Sequence, residues 1–294
     1  MKPVRTAVIP AGGLGTRFLP FSRSVPKELL PLVDTPVIDL VVSECAASGV
    51  ERVIIVGAPG KESLLSYFRP NERLARRLEA EGRHGELGAL RRPERLAEVT
   101  LVVQEEPKGN GHAVLVARDA VGDEPFVMLW GDDIVVGGDP AAGQLIAARE
   151  RLSGGSVAAA IRVPWRDTSR YGILAGDRID ERTIRVRSIV EKPPEGEAPS
   201  DLASVHGYLL EPAIFDVLED LSPGKSGEVW LSDAVSRLST RTPVWGLELS
   251  GRRYDTGDRG GYVQAFVDQA LAREDTGPGL RAHLVDRGWR PPDL

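Results

Sequence analysis

Thr6-Ala7-Val8-Ile9-Pro10-Ala11-Gly12-Gly13-Leu14-Gly15-Thr16-Arg17 is the stretch on which the fold class turns. An apolar run closed by proline and a glycine cluster reads as a buried strand feeding a loop. Glycines let the backbone approach a ligand closely and leave amide hydrogens free for phosphate oxygens. The carboxyl end of a parallel strand is where an α/β sheet binds its ligand. A ligand-free tight turn would use the same glycines, but Arg17 adds a guanidinium beside free amides, which suits a triphosphate. Two familiar phosphate loops do not fit. A dinucleotide fingerprint needs glycine where Phe18 stands, which weakens a nicotinamide-dependent dehydrogenase, and a P-loop needs Gly-Lys-Ser/Thr.

Working outward, residues 37–48 have helical spacing and stop at Gly49, and residues 52–56 read as a second buried strand. Residues 61–68 and 111–120 read as helical, and residues 99–103 and 126–129 as strands. This alternation predicts βαβ units: an α/β fold with a mostly parallel central sheet and right-handed crossovers. Residues 71–98 are dense in Arg and Glu and read as a solvent-exposed helix plus loop on the sheet edge. Past residue 150 the pattern shifts to strands at 157–163, 172–175, 183–190 and 205–210. Helices are expected at 212–221, 231–238 and 259–273.

The whole chain has 294 residues, 41% hydrophobic and 27% charged, with a net charge of −6. That supports one large core and argues against a general nucleic-acid binder, which needs a basic face. The single cysteine, Cys45, precludes an intramolecular disulfide and sits in an apolar run that reads as core. No segment reaches the roughly 20 apolar residues of a membrane span. The N-terminus lacks the apolar stretch of a secretory signal, so a cytoplasmic protein is expected.

Pro26-Lys27-Glu28-Leu29-Leu30-Pro31 brings a lysine between prolines just after the glycine loop. Together, Gly12-Gly13-Leu14-Gly15-Thr16-Arg17 and this hexapeptide resemble the signature of the sugar-1-phosphate nucleotidylyltransferases. The resemblance runs from Thr6 to about Arg273 and is closest to the bacterial UTP–glucose-1-phosphate uridylyltransferases. It implies a Rossmann-like nucleotide-binding core, with a mixed, mostly parallel central sheet flanked by helices, to which a sugar-binding subregion is appended, Mg2+ dependence, small-molecule substrates (UTP and glucose 1-phosphate), and a dimer or dimer of dimers. It also implies a single nucleotidyltransferase domain over residues 1–276, with the nucleotide-binding part at about 1–150 and the sugar-binding part at about 151–276. Residues 277–294, with Gly-Pro-Gly and Pro-Pro, are expected to form an irregular tail.

The remaining motifs are read beside this resemblance. In Gln104-Glu105-Glu106-Pro107-Lys108-Gly109-Asn110-Gly111-His112-Ala113, a glutamine amide offers a donor and an acceptor that can pair with the imide edge of uracil or thymine. The same loop could simply cap the next helix. The resemblance implies base contacts for Gln104 and Gly109, nucleotide contacts for Ala11, Gly12, Gly13, Gly15 and Thr16, and triphosphate contacts for Arg17 and Lys27. Leu129-Trp130-Gly131-Asp132-Asp133 ends an apolar strand, and a carboxylate there is a natural magnesium ligand, although paired aspartates also serve plain turns. The resemblance makes Asp132 and Asp255, the latter in Arg253-Tyr254-Asp255-Thr256-Gly257-Asp258, the metal ligands. Val190-Glu191-Lys192-Pro193 and Tyr171-Gly172 match sugar-contact segments, which implies that Gly172 and Glu191 contact the sugar and Lys192 its phosphate. Glu228 and Asp233 match a further segment without a defined role.

Phe21, Trp130, His206-Gly207-Tyr208 and Trp230 depart from the family pattern, the last two in the half expected to bind sugar. Two rivals accompany the uridylyl reading: thymidylyl transfer from dTTP, and a non-catalytic regulatory relative that binds nucleotide sugar.

Overall fold

A computed structural model describes residues 1–224 and 227–289. The elements run β1 (Thr6–Pro10), β2 (Pro31–Leu32), β3 (Thr35–Pro36), α1 (Val37–Ala47), β4 (Arg52–Gly57), α2 (Ser63–Tyr67), α3 (Glu72–Ala80) and α4 (His84–Arg91). Next come β5 (Glu98–Val103), α5 (Asn110–Leu115), α6 (Arg118–Val121), β6 (Phe126–Leu129), β7 (Asp133–Val136), α7 (Ala141–Arg151), β8 (Ser156–Arg162), β9 (Gly172–Arg178), β10 (Thr183–Glu191) and β11 (Leu202–Leu210). The chain closes with α8 (Ala213–Glu219), α9 (Leu231–Ser239), β12 (Val244–Glu248), β13 (Arg252–Asp255), α10 (Arg259–Ala272) and α11 (Gly277–Asp286).

One nine-stranded sheet, in the order β5-β4-β1-β6-β11-β8-β12-β10-β9, runs through the molecule. β5, β4, β1 and β6 pair in parallel. β11 and β10 run against the other seven strands, so the sheet is mixed but mostly co-oriented. Alternation along β1 explains its composition. Ala7 and Ile9 enter one apolar layer with α1 and α7, while Val8 enters the opposite layer with α5, α8 and α9. Both faces are covered, which is why the strand reads as continuously hydrophobic. Cys45 lies fully buried in α1, and burial pushes its thiol well above the ordinary range.

Three expectations need correction. The charged segment at 71–98 contains two helices, not one helix and a loop; Asn71 caps α3 by accepting the Leu74 N–H at 3.2 Å. The helical stretch at 111–120 breaks into α5 and α6. The expected irregular tail begins instead with a helix, Gly277–Asp286. Pro278 falls in the first turn of α11, where its missing N–H costs nothing. Thr276 Oγ1 and Arg281 Nη1 bond the Ala270 and Leu271 carbonyls, docking α11 on the end of α10. The Pro-Pro pair at 291–292 lies outside the described residues. Strand β12 escapes the periodicity reading because Gly246 dilutes a run of only five residues. Among the described residues, no helix is long and apolar enough to cross a membrane.

Candidate active site

Because β5, β4, β1 and β6 are adjacent and parallel, the loops that follow them meet at one edge of the sheet. Those loops carry Gln104 and Gly109, Ala58 to Lys61, Ala11 to Arg17, and Trp130 to Asp132. Parallel topology therefore collects at one place residues more than a hundred positions apart in sequence.

The glycine loop is held from below by a lysine. Lys61 Nζ donates to the carbonyls of Gly13, at 2.8 Å, and of Ala11. It also pairs with Glu28, 3.0 Å from Oε2 and 3.2 Å from Oε1. Glu28 is almost entirely buried, and burial pushes its carboxyl upward while Lys61 and Lys27 pull it back. A cavity of about 300 Å³ opens beside this strut, lined by Gly12, Gly13, Arg23, Lys27, Gly60 and Lys61 among others. It is of a size for a nucleotide's phosphates and sugar, with Lys27 and Lys61 among its lining residues.

Lys27 pairs with Asp132 and lies 4.0 Å from Glu28 Oε1. Burial lowers its affinity for a proton, but Asp132, Glu28 and Asp255 outweigh that and hold the ammonium above its ordinary pKa. Asp132 and Asp255 come together at Gly257. A Cβ there would collide with Asp132 Oδ2 and stand 3.1 Å from Asp255 Oδ1, so only glycine lets the two carboxylates share this space. The Thr256 N–H and hydroxyl both donate to the Asp132 carbonyl, at 2.9 and 2.7 Å, which locks the two segments in register. Arg17 is exposed and donates from Nη1 to the Gly257 carbonyl at 3.2 Å, so it spans from the glycine loop to the Asp255 segment.

Asp133 has a different job from its neighbour. It is buried, accepts Arg253 Nε at 2.8 Å on both oxygens, and accepts the His206 N–H at 3.0 Å. Its lone pairs are spent on protein donors, so it anchors β7 and β13. His206 Nε2 lies 2.9 Å from Glu44 Oε1, which also accepts the Ala142 N–H. The departure at 206 is thus part of a buried polar chain from α1 to β13.

Gln104 is buried beside the glycine loop, where a Cβ on Gly12 would stand 3.2 Å from its Oε1. Its amide donates to the Gly109 carbonyl at 3.2 Å and meets His112 Nδ1 at 2.9 Å. Gly109 has φ +97, and a Cβ would approach the Val229 carbonyl oxygen to 2.5 Å, so this loop must pass over Val229 as bare backbone.

A second cavity, of about 170 Å³, lies next to Asn110 and Trp130. Gly172, Glu191, Ser204, Tyr208 and Ser232 also line it. Gly172 faces Glu191 across the β9–β10 pair, and a Cβ on Gly172 would stand 3.0 Å from Glu191 Oε2. Lys192 follows at φ +46, its N–H bonded to the Tyr171 carbonyl at 2.9 Å. Its ammonium lies 5.7 Å from the centroid of the Trp230 ring and 4.0 Å from Glu191 Oε1. Arg253 stacks on Tyr171 with Cζ 5.8 Å from the centroid and reaches within 3.8 Å of Asp255 Oδ2. Arg253 thus links Tyr171, which lines the smaller cavity, to Asp255.

The structure therefore gathers Ala11, Gly12, Gly13, Gly15, Thr16, Arg17, Lys27, Asp132 and Asp255 into one cluster and sets Gln104 and Gly109 against it. Gly172, Glu191 and Lys192 form a neighbouring group, joined to the cluster through Tyr171 and Arg253 rather than by direct contact. Sequence reading missed Lys61, Glu28 and Arg253. Glu28 and Arg253 sit inside motifs already quoted, whereas Lys61 has no local signal because its partners lie 33 and about 50 positions away.

The nucleotidyl transferase family model matches residues 6–270. The UTP–glucose-1-phosphate uridylyltransferase of Bacillus subtilis is 40% identical over 285 residues, covering 97% of this chain and 96% of that protein. Among solved structures, the UTP-bound UGPase from Acinetobacter baumannii superposes with a TM-score of 0.89 at 33% identity, covering 96% of this chain and 99% of that one. A UDP-glucose pyrophosphorylase complexed with UDP-glucose superposes with a TM-score of 0.82 at 31% identity, covering 92% and 100%.

Proposed function

This chain belongs to the nucleotidyl transferase family, and on that premise we propose that it forms UDP-glucose and pyrophosphate from UTP and α-D-glucose 1-phosphate. The observation that carries the reading is the convergence of Lys27, Asp132 and Asp255 around Gly257, directly against the glycine loop. Two phosphate esters repel each other, and this is where cationic and metal-binding groups could hold them together.

In the reaction, a phosphate oxygen of the sugar 1-phosphate forms a bond to the α-phosphorus of UTP. The bond from that phosphorus to the bridging oxygen breaks, and pyrophosphate leaves with the electron pair. The nucleophile is already an anion at neutral pH, so no general base is required. Catalysis then rests on alignment and charge stabilisation. The amides of Gly12, Gly13 and Gly15 approach the triphosphate, Arg17 and Lys27 neutralise it, and Lys192 meets the incoming phosphate. Gln104 and the Gly109 backbone take the uracil edge. Glu191 accepts sugar hydroxyls beside Gly172.

Asp132 and Asp255 fit a magnesium ion. Both are hard oxygen donors, and they are brought together at Gly257, whose missing side chain leaves room for them. Mg2+ commonly takes one or two carboxylates and completes its shell with phosphate oxygens and water. Bound there, it would neutralise charge on both phosphates. Lys27 pairs with Asp132 and so orients the carboxylate.

Thymidylyl transfer onto the same sugar phosphate is the competing substrate choice, because uracil and thymine share the imide edge that Gln104 would read. A pyrophosphate-release assay over a matrix of nucleoside triphosphates and sugar 1-phosphates tests the assignment. The highest kcat/KM is expected with UTP and glucose 1-phosphate. A preference for dTTP would move the activity to the thymidylyl class. Tight UTP binding with no turnover would make the chain a binding relative.

A further inference from the structure

Trp230 departs from the family pattern, and its surroundings give it work. The segment around it is pinned by three hydrogen bonds to the loop that carries Gly109. The Val229 N–H donates to the Lys108 carbonyl at 2.8 Å, and the Gly111 N–H donates to the Val229 carbonyl at 2.9 Å. The Leu231 N–H donates to Asn110 Oδ1 at 2.8 Å. Trp230 is thus held between two residues with fixed backbones at the start of α9, and Leu231 and Ser232 go on to line the smaller cavity.

The ring meets a lysine that has little else to hold it. Lys192 is 58% exposed in its side chain, and its backbone is set in the left-handed region by the bond to Tyr171. A flexible ammonium next to Glu191 would be drawn onto that carboxylate, its sequence neighbour. The pair stands at 4.0 Å, beyond hydrogen-bond distance, while the ammonium lies over the Trp230 ring. An indole face attracts a cation and costs the carboxylate nothing.

We propose that Trp230 is a positioning residue for the sugar phosphate. Its ring keeps the Lys192 ammonium at the mouth of the small cavity and off Glu191, so that the cation stays available to a phosphate and the carboxylate to sugar hydroxyls. The inference rests on the proposed function and deepens it. It attributes part of the affinity for the sugar 1-phosphate to the aromatic ring of Trp230.

The test is steady-state kinetics of the full chain with Trp230→Leu, Trp230→Phe, Lys192→Ala and the Trp230→Leu/Lys192→Ala pair. Trp230→Leu is expected to raise KM for glucose 1-phosphate about fivefold, the value of a half-exposed cation–π contact, and to leave KM for UTP within about twofold. Trp230→Phe restores most of the loss because it keeps the aromatic face. In the Lys192→Ala background, Trp230→Leu adds nothing further. A full additional rise in that background, an equal rise for UTP, or no rescue by phenylalanine would each overturn the assignment. A readout that needs no turnover separates this failure from that of the function. With fluorotryptophan in all five tryptophans, Lys192→Met should shift the Trp230 fluorine resonance. An unmoved resonance in an active enzyme overturns the pairing alone. A wild-type chain inert toward every triphosphate and sugar phosphate overturns the proposed function, and the role of Trp230 in it.

Discussion

Lys61 Nζ stands 3.0 Å from Glu28 Oε2, with side chains only 11% and 1% exposed. The same ammonium holds the Gly13 carbonyl at 2.8 Å, so one side chain joins a buried acid to the back of the glycine loop. The loop's shape is therefore set by a residue on a different βα connection, and glycine alone would leave it free.

Removing one partner of a buried pair leaves an uncompensated charge. Lys61→Met should destabilise the fold by about 3–5 kcal/mol, measured as a lower urea midpoint. Glu28→Gln in that background should recover much of the loss, because the stranded carboxylate is gone. An unchanged midpoint in Lys61→Met would show that the strut carries no stability.

His206 supplies a pH dependence. Burial lowers its pKa, but Glu44 at 2.9 Å and Asp133 raise it more, and the net direction is upward from 6.5. A histidine with a raised folded-state pKa stabilises fully below its unfolded value and loses that contribution as pH rises through the folded one. The urea midpoint of the wild type should thus fall as pH is raised from 6.5 into the alkaline range. His206→Asn, chosen because asparagine tolerates the φ of +61 found there, should lack that component. Parallel pH curves for the two proteins would count against it.

Lys192→Ala should raise the requirement for sugar phosphate and slow turnover. Loss of a charge contact made in the transition state typically costs on the order of 10²- to 10³-fold. Normal steady-state parameters would remove the lysine from the phosphate site.

For the metal, the clean comparison is a Mg2+ titration of wild type against Asp132→Ala/Asp255→Ala. The double variant should need far more ion for the little activity it keeps. Identical titration curves would mean that the ion binds elsewhere. Asp133→Asn makes the contrast. It should lower the melting temperature by loosening the Arg253 pair, while apparent metal affinity changes much less.

Much of the site was legible along the chain because its parts lie at strand ends, where short motifs keep their spacing. Gly12 to Arg17, Gln104 to Gly109, and Asp132 each follow an apolar strand, and parallel pairing alone suffices to bring them together. Arg253 and Lys61 were not legible in this way. Their partners, Asp133 and Glu28, are fixed by sheet order and loop packing, which leave no periodic trace. The irregular reading of Gly277 onward failed because proline and glycine punctuate loops in general, yet Pro278 suits the first turn of a helix.

By itself the sequence determined the strands' burial, the glycine loop at the end of the first, and the residue types that phosphate and metal chemistry require, since each is a local consequence of hydrophobic period or side-chain chemistry. Only the tertiary structure decided that Asp133 is spent on Arg253 and His206, that Lys61 sets the loop, and that Trp230 meets Lys192. Those outcomes depend on which groups compete for one another at a few ångströms, and that competition exists only once distant segments have packed.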